Sequence, residues 1–145
     1  MDEKKDWQDR CAAVVGHYLH LEDGGFDEHM GAYFVGCNYE EQSMIIGFPT
    51  FKWQINERGG IHGGALAGMF DTGLGVAANF VAGVNEAATT DMSISFLRTL
   101  NLGTDVEMKV WVVKAGKRMI RLRAELCDPN TQKLIATASG SWMPL

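Results

Sequence analysis

The sequence predicts an α+β domain: a curved antiparallel sheet wrapped around one long central helix, with a further helix at the N-terminus. Three observations predict it. The most apolar stretch, residues 56–84, repeats its large side chains at spacings of three and four. After it the period falls to two. Turn residues then cut the remaining chain into four short runs, which suits strands joined by hairpins.

Within the apolar stretch, Leu66, Met69, Phe70, Leu74, Val76, Ala77, Phe80 and Val81 cover more than half of a helix circumference, so the helix is expected to be nearly enclosed. Gly68, Gly73 and Gly75 each cost roughly 1 kcal/mol against Ala inside a helix. Close approach of other backbone, such as the sheet, is the expected reason for keeping them. A membrane span needs ~20 predominantly apolar residues. Asp71, Asn79 and the glycines between residues 64 and 83 argue against one.

Before this helix, residues 6–21 form an amphipathic helix with Trp7, Cys11, Val14, Val15, Tyr18 and Leu19 on one side, stopped by Glu22-Asp23-Gly24-Gly25. Two apolar runs, 31–37 and 43–48, suit a pair of strands, and residues 49–58 connect them to the central helix. After it, Met92, Ile94 and Phe96 alternate with Asp91, Ser93 and Ser95. Val106, Met108, Val110 and Val112 follow, then Ile120, Leu122, Ala124 and Leu126, and last residues 134–142. The turns fall at 101–104, at Ala115-Gly116-Lys117 and at Asp128-Pro129-Asn130-Thr131.

The 145 residues read as a single domain, 1–145, with no repeat or linker. Cys11, Cys37 and Cys127 are odd in number, far apart and outside any CxxC pair, as expected of reduced thiols in a cytoplasmic protein. The first ten residues, MDEKKDWQDR, are rich in charge and do not show the basic n-region and apolar h-region expected of a signal sequence. A net charge of −5 argues against a general nucleic-acid binder. Up to Ser95 there are 5 Lys/Arg and 14 Asp/Glu, whereas from Phe96 onward there are 8 and 4. Two readings of that basic third stand: a solvated strand face, or a docking patch for a small polyanion around Lys114, Lys117, Arg118, Arg121 and Arg123.

Asp71 is the one formal charge between Gly59 and Asn85. Aspartate is a poor interior helix residue, and burying it unpaired costs several kcal/mol, so a chain that keeps it there is expected to use it. Either it is a satisfied core carboxylate or it does chemistry. Nine residues earlier, Gly59-Gly60-Ile61-His62-Gly63-Gly64 brings side-chain-free backbone into the helix start. The unpaired N–H groups and positive dipole end there suit a carbonyl oxygen or oxyanion. Gly63 and Asp71 lie eight residues apart, about 12 Å of helix. If both act on one substrate, they must come from two chains, as in an isologous dimer with antiparallel helices.

The order N-x5-HGG-x6-D, followed by Thr89-Thr90-Asp91-Met92-Ser93-Ile94, resembles the hotdog-fold acyl-CoA thioesterases, in particular the branch with the phenylacetate-pathway enzymes. The resemblance covers most of the chain and implies a hotdog fold. It implies that the Gly63 N–H polarises the thioester carbonyl, that Asp71 is general base or nucleophile, that Asn56 helps hold the carbonyl or the water, and that Thr89, where Ser is also used, positions water or carboxylate. It implies sites across a homodimer interface, and it leaves homodimer and homotetramer both open, because hotdog dimers pair in several ways. Coenzyme A enters as part of the substrate, and no cofactor or metal is expected.

His62 either shares in the chemistry or only shapes the helix start; Asn56 and Thr89 carry similar structural alternatives, as a turn residue and a strand residue. Gly64 would allow close approach of substrate, and Lys117 and Arg118 would meet the CoA phosphates. Phe26, Phe51, Trp53, Met69 and Phe70 are candidate acyl-pocket residues. Apolar surroundings would raise the basicity of Asp71. Two other functions fit the same residues: a hydro-lyase acting on hydroxyacyl or enoyl thioesters through His62 and Asp71, and a non-catalytic acyl-CoA-binding module. Gly73-Leu74-Gly75-Val76-Ala77-Ala78 matches a dinucleotide fingerprint but falls inside the helix instead of opening it. His17 and His20 share a helix face without a third metal ligand, and no G-x-S-x-G is present.

Overall fold

The computed structural model describes residues 2–145, apart from the side chain of residue 84. Helix α1 (Glu3–Leu19) begins at Asp2, whose carboxylate accepts the backbone N–H groups of Lys4 and Lys5. It buries Trp7, Cys11, Val15 and Leu19, one residue per turn. A one-turn helix, α2 (Phe26–Met30), follows the glycine stop, where the sequence pattern was too short to predict one. Strands β1 (Tyr33–Asn38) and β2 (Ser43–Phe48) form a hairpin, and α3 (Gly63–Ala82) is the predicted central helix. The last four strands are β3 (Ala87–Phe96), β4 (Val106–Ala115), β5 (Ile120–Cys127) and β6 (Leu134–Pro144).

All six strands make one antiparallel sheet in the order β1-β2-β4-β5-β6-β3. The strand after α3 does not pair with its successor. It lies at the far edge against β6, and residues 97–105 carry the chain back so that β4 can pair with β2. The sheet curves around α3, whose Met69, Phe70 and Leu74 are fully buried with Phe48, Met108, Ile120, Leu122, Leu126 and Trp142. Helix α1 closes one side through Trp7, which meets Phe80 edge-on at 5.4 Å between ring centroids.

Two expectations need correction. Met69 and Phe70 do not line a pocket, because they lie on the helix face that meets the sheet and are 0% exposed. Nor does backbone crowd the glycines of α3. A Cβ on Gly73 would meet the Met108 sulfur at 2.5 Å, one on Gly68 the Phe26 ring at 2.5 Å, and one on Gly75 nothing within 4 Å. Side chains explain the first two positions, and at Gly75 the space is open. Although α3 is long and apolar enough to cross a membrane, more than half of it is packed inside the fold.

Candidate active site on the open face of the central helix

The sheet leaves one stripe of α3 uncovered: Gly64, Ala67 and Gly68, Asp71, Gly75. Asp71 is the only charge on it and is exposed, not enclosed among apolar side chains as the sequence pattern implied. The Thr89 hydroxyl on β3 donates to Asp71 Oδ1 at 2.7 Å, leaving Oδ2 without a protein partner among the described residues. Both residues open into a cavity of about 460 Å³ with Phe26, Ala67, Gly68 and Met92.

Phe26 comes from α2, which was not predicted as a helix. Asp27 accepts a hydrogen bond from the buried Thr72 hydroxyl at 2.6 Å, fixing α2 to α3 one residue beyond Asp71. The Phe26 ring then lies over Gly68, with no Cβ to displace it. The other aromatic candidates sit elsewhere: Phe51 and Trp53 stack at 6.1 Å on the connector before α3.

Thr89 faces α3 through a bulge. Asp91 pairs with Ser141 and Thr89 with Trp142, so Thr90 is an extra residue on β3. Strict alternation back from Met92 would turn Thr90 toward the helix and Thr89 away. The inserted residue reverses that parity and aims Thr89 at Asp71.

Gly63 is the first residue of α3, and its N–H is one of the donors that a helix start leaves unpaired. His62 is the N-cap: its Nδ1 accepts the Gly64 N–H at 2.8 Å, which places the proton of the neutral ring on Nε2. The ring therefore shapes the helix start, and the Gly64 amide is already engaged. Asn56 lies in the tight loop just ahead. Its Oδ1 accepts the N–H groups of Arg58 at 2.9 Å and Gly60 at 3.2 Å. Gly59 takes φ 86°, a backbone state that favours glycine. With Oδ1 committed to the turn, the Asn56 amide NH2 has no acceptor among the described residues and can donate. Asn56, Gly63, Phe96 and Arg98 line a second cavity, of about 550 Å³.

The protomer thus keeps its predicted site residues in two groups, Asn56–Gly63 and Asp71–Thr89, as the spacing along α3 requires. Lys117 and Arg118 form a third, at the β4–β5 turn, where with Lys114 and Arg121 they surround a hollow of about 410 Å³. That turn is not remote. Thr89 pairs with Trp142 and Trp142 with Ile120, which sets Ile120 about 10 Å from Thr89 at the usual strand spacing. Among the described residues no group of His, Cys, Asp or Glu could hold a metal.

The sequence pattern of the thioesterase superfamily matches residues 58–135, a span that contains His62, Gly63, Asp71 and Thr89. A protein of Saccharolobus solfataricus, provisionally named an esterase, is 32% identical over 107 residues, covering 72% of this chain and 74% of the relative. The chain belongs to the thioesterase superfamily. Among solved structures, the E. coli PaaI protein from the phenylacetic acid degradation operon superposes with a TM-score of 0.78 at 19% identity, over 93% of this chain and 96% of that one. A Streptococcus mutans protein bound to acetyl-CoA gives 0.73 at 17% identity, over 87% and 96%. These overlays identify the hotdog fold.

Proposed function

We propose that the protein hydrolyses the thioester of an acyl- or aryl-CoA, in sites built from two copies of the chain. The observation that carries this is the Thr89–Asp71 hydrogen bond of 2.7 Å at the edge of an open cavity, on a helix whose unpaired N-terminal amide is too distant to serve the same carbonyl. Further support comes from the superfamily match and from the like-folded protein that was solved with acetyl-CoA.

In this mechanism Gly63 N–H and the Asn56 amide of one protomer hold the thioester carbonyl. The partner's Asp71, oriented by the partner's Thr89, accepts a proton through Oδ2 from a water. The water oxygen attacks the carbonyl carbon, and the negative charge on the carbonyl oxygen is met by the Gly63 N–H and the α3 dipole. Collapse breaks the C–S bond, and the Asp71 carboxyl returns its proton to the departing CoA thiolate. His62 serves as N-cap. Lys117 and Arg118 receive the CoA phosphates, and CoA is a substrate part, with no bound cofactor.

The test is free-thiol release from a panel of alkyl and aryl acyl-CoAs, wild type beside Asp71→Asn. Turnover by the wild type that is lost in a folded variant supports the proposal and names the acyl class. Equal turnover in the variant removes Asp71 from the mechanism. Loss of enoyl absorbance without thiol release means a hydro-lyase, and a ligand-induced thermal shift without any turnover means a binding module.

A further inference from the structure

The bulge that aims Thr89 at Asp71 is held from the opposite face of the sheet. Arg121, Ser141 and Asp91 lie side by side across β5, β6 and β3. The Arg121 guanidinium donates through Nη1 to Ser141 Oγ at 3.1 Å and through Nη2 to Ser139 Oγ at 3.3 Å, and stands 3.6 Å from Asp91 Oδ1. From within the bulge, Thr90 Oγ1 donates to the Ser141 carbonyl at 2.9 Å and lies 3.3 Å from Asp91 Oδ2. The two Thr90 contacts and the approach of Arg121 to Asp91 fall on the extra residue and its neighbour, while the two serine hydrogen bonds anchor the same guanidinium to β6, on the strand that faces the bulge.

Exposed ion pairs contribute little to stability, about 0–1 kcal/mol, and Arg121 and Asp91 are 42% and 64% exposed at their side chains. A forked guanidinium spanning two hydroxyls and a carboxylate does something else: it fixes geometry, which a lysine ammonium cannot reproduce. We propose that Arg121, with the Thr90 hydroxyl, is a positioning residue: it locks the β3 bulge so that the Thr89 hydroxyl stays on Asp71. The inference rests on the thioesterase reading for its kinetic consequence, but the positioning itself can be measured without turnover.

The test uses Arg121→Met, Arg121→Lys, Thr90→Val and Thr90→Ser in the full chain. Three-bond couplings to the Thr89 side chain report whether it keeps one rotamer. The expected result is a single rotamer in wild type and Thr90→Ser, and averaging in both Arg121 variants and in Thr90→Val. In steady state the same three variants lose about tenfold in kcat with KM unchanged, while Thr90→Ser keeps it. Because the effect runs through Thr89, Thr89→Val combined with Arg121→Met is no slower than Thr89→Val alone. A fixed Thr89 rotamer in the Arg121 variants overturns the proposal. So does a rise in KM at constant kcat, which would make Arg121 a substrate contact of the basic hollow it also lines. A wild type without thioesterase activity would remove the functional reading alone, and the couplings would still decide the positioning.

Discussion

If the amide of one protomer works with the carboxylate of the other, two dead variants can make a live protein. The perturbations are Gly63→Pro and Asp71→Asn. Gly63 is the first residue of α3, where proline is accepted because its missing N–H has no helical partner. His62 already has φ −62° and ψ 140°, the conformation that a following proline demands. A Cβ at Gly63 would meet only the Phe96 ring, at 3.7 Å. The substitution thus deletes one donor with little structural cost, and loss of such a donor lowers kcat by roughly 10²- to 10³-fold. Asp71→Asn removes the base while keeping the shape. Mixed and allowed to exchange, equal amounts give about half heterodimers. In each, one site holds both defects and the other holds neither, so about a quarter of the wild-type rate returns. The assay is thiol release against the molar fraction of one variant, with dimerisation of each parent checked by size-exclusion chromatography. A rate that stays at the mean of the parents, when both still pair, would refute the shared site and with it the argument from the 12 Å of helix.

The glycines of α3 should separate by what surrounds them. Gly73→Ala presses on the fully buried Met108 and Phe48, and overpacking of about 1–3 kcal/mol outweighs the ~1 kcal/mol of helix propensity gained; urea melts should show net destabilisation. Gly68→Ala pushes only the Phe26 ring, 58% exposed, so it should be neutral or stabilising while altering acyl preference. In alkali, burial first, and then the neighbouring Cys37 thiol, push the Cys11 thiol up to about 12. A folded value above the unfolded one, about 8.5, means its contribution is complete below that pH and is lost as pH rises toward 12. The urea midpoint should fall through this window, less steeply in Cys11→Ala; equal slopes would acquit Cys11. Neutralising Lys117 and Arg118 together should raise KM for acyl-CoA about two- to tenfold at constant kcat, with a weaker salt dependence than wild type; unchanged KM would place the phosphates elsewhere.

How far the sequence reached follows from which features are periodic. The long helix and the flanking strands come from spacing, and spacing survives in the fold: α3 starts at Gly63, as the glycine-rich entry implied. The order of strands does not, since alternation shows which face is buried and says nothing of which strand lies alongside. Thus β3 and β6 could each be read as strands, while their pairing across some fifty residues of sequence could not. A one-turn helix carries no period, so α2 and its Asp27 anchor were hidden, although Phe26 was named as an acyl-pocket candidate. The sharpest case is Thr89. Alternation read backward from Ile94 and Met92 turns Thr90 inward, and the family resemblance singles out Thr89 instead. Both are sound, and the conflict is itself informative. Two facing residues on opposite parities of one strand require an odd insertion between them, which is the bulge observed at Thr90. A hydroxyl that the resemblance assigns to the site but that falls out of step with its strand is therefore a sign of a bulge legible in the sequence, and the groups that hold this bulge lie on the far face of the sheet, where Arg121 stands.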